Sequence, residues 1–434
     1  MRYSDRLSKL DRFDYFYFFV IVIYAAMALP ATKNMVKPPS GGIIAFIIPW
    51  GLTAIFIVKH KISFIDRKLT MVTLIYFVWV ILQIIKYRIV YDGAFIYYGN
   101  ILIAYILIKI YGYRMFLLYE KFIFFLSIIA LLGWGLQIIA PAPLTLFMKA
   151  TSLYGFSQES TIVANNIFFS LSNYSKYLAQ GYIIPRNAGF ASEPGRFAVM
   201  LVFAILSNLI RTRFSLKHNR IFWILSFALI SSQSTTGLSG FMLILFIYFL
   251  NQKVKKRVTL IIVFIPLALG IILLPFMGEK ISELWFNNED VQNAVYLAQY
   301  REEGDRVLVP QRFVAIIFEL MNIKDSPLLG YGIDTIHSYV RRNISPFISL
   351  PGGVFAIVSQ FGVVIAFLVY RQLYKSSFYF QEIYRYKGKW VIFILFILMS
   401  LSYSLWFAPF FSTIWLFHLF TPSKSKLVLK QHGK

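Results

Sequence analysis

Thirteen residues of this chain combine acid, base and glycine at one boundary: Arg186-Asn-Ala-Gly-Phe-Ala-Ser-Glu193-Pro194-Gly-Arg196-Phe-Ala198, where a polar stretch gives way to an apolar run. A carboxylate such as Glu193 can orient a hydroxyl or accept its proton. The planar fork of arginine matches phosphate oxygens two at a time, so Arg186 and Arg196 together suit a diphosphate. Gly189 and Gly195 would let backbone approach a ligand closely. The plainer readings are an acid that complements the dipole of a helix opened by Pro194, and arginines that reach from an interface to lipid headgroups.

The elements that must position these residues are membrane helices. Of the 434 residues, 58% are hydrophobic and 14% charged. Mean hydropathy is +0.66, and apolar runs of spanning length recur from end to end, as expected of one polytopic membrane domain over residues 1–434. The run from Tyr15 to Ala31 follows a basic segment as a signal peptide would, but its apolar core is long and further spans follow, so it reads as a retained first helix. Further spans are expected near 41–58, 69–85, 94–111, 122–140, 195–210, 258–275 and 354–373. Two runs, Ile221–Leu250 and Trp390–Phe420, are too long for one crossing and carry basic residues at both ends. Two short crossings each, turning at Ser231–Thr236 and near Ala408-Pro409, keep both basic ends on one side. That gives about twelve transmembrane helices, and a re-entrant hairpin at either place would preserve the orientation.

The net charge of +24 sits in short connectors: Lys59–Lys61, Arg67-Lys68, Arg211–Arg220, Lys253–Arg257, Lys387–Lys389 and the tail from Lys424. Short basic connectors mark the cytoplasmic side and argue against nucleic acid as a partner. Both termini are then cytoplasmic, and the long connectors, about 141–194 and 276–353, are external. The second holds ten of the nineteen acidic residues, and connectors this long usually carry a role. Within it, Phe313, Ile316, Ile317 and Leu320 have helical spacing, which predicts an amphipathic helix over Gln311–Met321 lying on the outer surface or against the bundle. With no cysteine there is no thiol chemistry. No phosphate-binding Gly-rich loop, zinc-type His/Glu spacing or Asp-x-Asp pair is found, so no cofactor or metal is expected.

Arg186-x-x-Gly189-Phe190-x-x-Glu193-Pro194-x-x-x-Ala198, leading into an apolar helix, resembles the signature of the O-antigen polymerase and ligase family. Three further pieces stand in that family's order: the Ser/Thr-Gly turn Ser231–Gly240, the Pro-x-x-Gly-x-Gly turn in Ser326–Gly332, and Ser359-Gln-Phe-Gly362 in the helix after the large loop. Members often carry histidine just before that helix, and the ligases rely on it. Here the place reads Ser349-Leu-Pro-Gly-Gly353, with His337 lying earlier, which favours polymerase over ligase. Arg342 and Gly353 stand eleven residues apart, as do Arg341 and Gly352, a spacing some polymerases of the family show.

The resemblance implies an all-α membrane glycosyltransferase of GT-C type in the bacterial inner membrane. It would join undecaprenyl-diphosphate-linked repeat units, donor and acceptor alike, into O-antigen or capsular polysaccharide on the outer face. Arg186 and Arg196 would hold the diphosphate and Glu193 the acceptor. Arg301, Arg306, Arg312, Arg341 and Arg342 would position the glycan, with His337 beside them and Tyr331 stacking on sugar. A flippase and a chain-length regulator are the expected partners besides the bilayer. The rival of another class is a lipid-linked oligosaccharide flippase or transporter. It would place ionisable residues deep within spans, whereas here the expected span centres are almost uncharged, with Glu120 placed before the fifth span.

Overall fold

The computed structural model describes residues 10–26, 41–90, 92–152, 162–173, 184–252, 292–293, 295–296, 312–348, 350, 353–401 and 403–421. The expected span 258–275, the basic connector 253–257 and the tail from Lys424 lie outside them.

Apolar runs become helices at nearly every expected place: α1 (Arg12–Ala26), α2 (Gly41–His60), α3 (Arg67–Tyr87), α4 (Asp92–Tyr111) and α5 (Arg114–Ile139). After a short α6 (Pro141–Ala150) come two strands, β1 (Ile162–Asn165) and β2 (Ser170–Ser172), paired antiparallel. No sequence signal announces this small hairpin in the first long connector. The chain continues through α7 (Pro194–Arg211), α8 (Arg220–Ser231) and α9 (Thr235–Leu250), then α10 (Arg312–Asp325) and α11 (Tyr339–Asn343) of the second long connector. It ends in α12 (Ala356–Tyr384), α13 (Val391–Ser400) and α14 (Pro409–Phe420). Five of the described helices, α3, α4, α5, α7 and α12, are long and apolar enough to cross a membrane. The fold is that of an all-α membrane protein with one main apolar core, in which ring pairs such as Tyr119–Phe410 (4.2 Å) and Tyr97–Phe407 (4.6 Å) join distant helices, and with two small satellite clusters in the long connectors.

Both over-long runs break where turn chemistry predicts. Ser234 caps α9 by accepting from the Gly237 amide, and Pro409 opens α14, where its missing N–H costs nothing. The α8–α9 pair forms a hairpin. Asn219, the cap of α8, donates to Asn208, and beyond α9 Gln252 donates to the Phe214 carbonyl, so both ends return to the foot of α7. The 12 and 16 residues of α8 and α9 measure only about 18 and 24 Å, short of the roughly 30 Å apolar layer.

The described basic connectors gather at one end. Lys59 and His60 close on the buried Asp14, Lys109 pairs with Asp66, and Asn251 bonds the Lys387 carbonyl beside Phe214. At the opposite end stand residues 184–196, the 231–234 turn and the 326–348 segment. One expectation fails here: α5 begins at Arg114 rather than near 122, so Glu120 lies within it. Its carboxylate is almost fully buried and takes a bidentate pairing from Arg211 (2.7 and 2.9 Å) and a hydrogen bond from Asn208 (2.8 Å). Removing the arginine strands a buried charge, whereas Arg211 itself is 42% exposed and can rehydrate. Arg211→Ala should therefore cost about 3 kcal/mol and Glu120→Gln clearly less, as read by thermal unfolding in detergent.

Candidate functional site

The 186–193 segment is irregular, and its polar groups are met by other elements. Asn187 donates from its amide to the Ser231 carbonyl (3.0 Å) and from its side chain to the Ser231 hydroxyl (2.9 Å). Its own Oδ1 accepts from the Gly189 amide (2.9 Å), closing a turn in which Gly189 is left-handed (φ +54°) and pressed against the Phe197 ring. Strand β2 clamps the outer side, with the Ser170 amide donating to the Gly189 carbonyl and its hydroxyl to that of Ala191 (both 2.6 Å).

On this frame Arg186 donates from Nε to the Ser232 carbonyl (3.2 Å), at the turn that starts α9. Glu193 takes the capping position of α7 with extended backbone, yet its side chain makes no capping bond. It accepts instead from Arg196 Nε (3.0 Å), and the pair is 38% and 28% exposed. Arg196 lies over the Tyr403 ring (5.2 Å), and Tyr403 also fills the space in which Gly195 has no side chain. An accessible carboxylate with one guanidinium bound and other lone pairs open can accept a hydroxyl proton. Arg186 stands beside the amide-rich start of α9, a setting that favours an anion.

The two other motifs interlock. In α12 the helix breaks at Gly362 (φ +77°, ψ 168°), and the Ser326–Gly332 turn fills the gap. Tyr331 and Gly332 donate amides to the Ser359 and Gln360 carbonyls (2.8 and 3.0 Å), and Val363 donates to Pro327 (2.8 Å). Side chains of α3 finish the seam. Gln83 donates to the carbonyls of both Leu329 and Gln360 (2.7 Å each), Tyr87 to that of Gly330 (2.8 Å), and Lys86 to the Ser326 hydroxyl (2.6 Å). A Cβ at Gly330 or Gly362 would run into the facing backbone. No local sequence signal marks these α3 residues, since only the distant turn reveals their use.

The remaining candidates divide. Arg301 and Arg306 lie outside the described residues, and Arg312 is described only as the first residue of α10. Arg341 donates to the Ile348 carbonyl (2.7 Å) and Arg342 pairs with Asp325 (2.5 Å), so both brace the loop on itself. His337, expected beside the loop arginines, is half-buried and stacked on Tyr87 (4.8 Å). Tyr331 is 1% exposed, so its ring offers no face to a sugar; Tyr339, 36% exposed, does. Among the described residues no cluster of His, Asp and Glu could hold a metal ion.

Helix α10 is amphipathic and packs on α12, but its buried face is Val314, Ala315, Phe318, Glu319 and Asn322, one position round from the expected set, with Leu320 exposed. Glu319 is the residue sequence reasoning missed. It is 3% exposed and beside Tyr331, and burial pushes its carboxyl up to about 7 although Ser359 and Asn322 hydrogen-bond to it.

No family model matches this chain, and no curated protein matches it in sequence.

Gly362 occupies a backbone region open to glycine almost alone, so Gly362→Ala should cost at least about 2 kcal/mol. Gly51→Ala, in a helix with nothing near the added methyl, should be neutral or mildly stabilising in the same melting assay. Glu319 binds its proton more tightly folded than unfolded, from the ordinary 4.5 up to about 7. Stability should therefore fall by about 3 kcal/mol as pH rises through that window and level off above it. Melting at pH 5 and pH 8 should show the fall in the native protein and a much flatter response in Glu319→Gln.

Proposed function

We propose that this chain is a polysaccharide polymerase of the O-antigen polymerase type. It joins undecaprenyl-diphosphate-linked repeat units on the outer face of the inner membrane, within an architecture of about twelve spans resembling the GT-C glycosyltransferases. The observation that carries the reading is an accessible Glu193–Arg196 pair at the start of α7 and Arg186 at the start of α9, both at the end of the bundle opposite the basic connectors. By the positive-inside preference that end faces outward, and both termini are cytoplasmic.

In the proposed reaction Glu193 takes the proton of an acceptor hydroxyl as its oxygen bonds the anomeric carbon of the donor glycan. The bond from that carbon to the diphosphate breaks, and the diphosphate leaves on its lipid with the electron pair. The leaving group already bears its charge, so arginine can stabilise it without a metal. Arg186, at the start of α9, suits that task. Arg196, held against Tyr403, keeps the carboxylate oriented, which refines the expectation that both arginines grip the diphosphate. The interlocked 326–332 turn ties the described part of the large loop to α3 and α12. Glu120 with Arg211 is the sort of buried pair a transporter would use, but it lies at the basic end, two turns from the start of α5.

In a deletion strain, surface polysaccharide on a gel should collapse from a ladder to core plus one repeat unit. Arg186→Ala and Glu193→Gln should fail to restore the ladder, with polymerising activity down about a hundredfold or more. Full-length polymer from both variants would overturn the assignment. Polymer accumulating on its lipid carrier with no attached glycan would mean a ligase, and single units trapped on the cytoplasmic side a flippase.

A further inference from the structure

A large cavity lined by described residues lies at the basic end, far from Glu193, and the proposed reaction makes no use of it. It has a volume of about 1200 Å³ between the feet of α5, α7 and α12 and the flanks of α13 and α14. Its deep wall is apolar: Phe116, Phe203, Leu206, Phe380, Ile392 and Ile414. Phe203 stands eight residues before Arg211 on α7, so the apolar part reaches about 12 Å along the bundle. The mouth is basic, with Arg114, Arg211, Arg213, Arg385 and Lys387 against the acids Glu120 and Glu382. Glu120 is occupied by Arg211 and Asn208, whereas Arg213, Arg385 and Lys387 have no ion-pair partner among the described residues.

Tyr386 closes part of the same wall with its ring and is 4% exposed.

We propose that this cavity binds one phosphate-bearing lipid. Its phosphate sits among Arg213, Arg385 and Lys387, while its hydrocarbon chain runs up the aromatic wall. Guanidinium forks select phosphate, and the apolar depth selects a chain over a soluble anion. Two lipids share this chemistry: an anionic glycerophospholipid and a polyprenyl phosphate.

The test is native mass spectrometry of the delipidated full-length protein in detergent, titrated separately with phosphatidylglycerol, undecaprenyl phosphate and zwitterionic phosphatidylcholine. One of the first two should bind at least tenfold tighter than phosphatidylcholine, and whichever does identifies the source. The double variant Arg213→Gln/Arg385→Gln should weaken that binding at least tenfold with an unchanged melting temperature. Lys149→Gln, at the other end, should not weaken it. Equal affinity for all three lipids, or tight binding that survives the double variant, would overturn the proposal. Because the site is remote from Arg186 and Glu193, its failure would leave the polymerase reading untouched.

Discussion

Backbone that leaves a regular helix inside an apolar bundle must find hydrogen-bond partners there, because neither lipid nor core supplies them. The break in α12 at Gly362 creates that demand, and the Ser326–Gly332 turn answers it amide for carbonyl. Gln83 and Trp79 satisfy the carbonyls that remain, Trp79 donating to that of Phe361. Much of the outer loop hangs on this seam. His337 can stack on Tyr87, Glu319 can be buried beside Tyr331 and Ser359, and α10 can lie on α12 because the turn brings them there. The 186–193 segment is secured by the same logic, with Ser231, Ser232 and Ser170 as its partners.

This arrangement shifts weight away from the ion pair that first draws the eye. A half-exposed Glu193–Arg196 contact in water-like surroundings contributes little to stability by itself. Its value is positional. Glycine at 189 and 195 lets Phe197 and Tyr403 press against the backbone, and those rings hold helix start and guanidinium in place. The charge that the proposed reaction calls on is thus carried by groups that the fold does not spend on cohesion. At the other end Glu120 and Asp14 are buried and paired, and their role is cohesive.

Local features are plain in the sequence. Ser234 and Pro409 announce the breaks in the two long runs because caps and proline act within a few residues of themselves. The four motif pieces also fall where the structure uses irregular backbone. What stays hidden depends on distant partners. Glu319 looks like one more acid in an acidic loop until Ser359 is brought beside it, and its burial displaces the inner face of α10 from the one its apolar residues suggest. Tyr331 reads as a sugar platform because ring chemistry is visible in a sequence and burial is not. The β1–β2 hairpin, of four and three residues, is too short for alternation to register.

Helix α8 presents Trp223, Phe227 and Ile230 outward, on the face lipid would cover, yet it measures only about 18 Å. A bilayer meeting so short an apolar wall must thin against it or bend its leaflet inward, at a cost that grows with each ångström of mismatch. One end of that wall is the Ser231–Ser234 turn, to which Arg186 is hydrogen-bonded. A leaflet bent inward at that end would bring lipid headgroups closer to Arg186, and under the proposed function would shorten the reach of a lipid-linked substrate to it. The length of α8 would then couple the thickness of the bilayer to the distance between Arg186 and the headgroups.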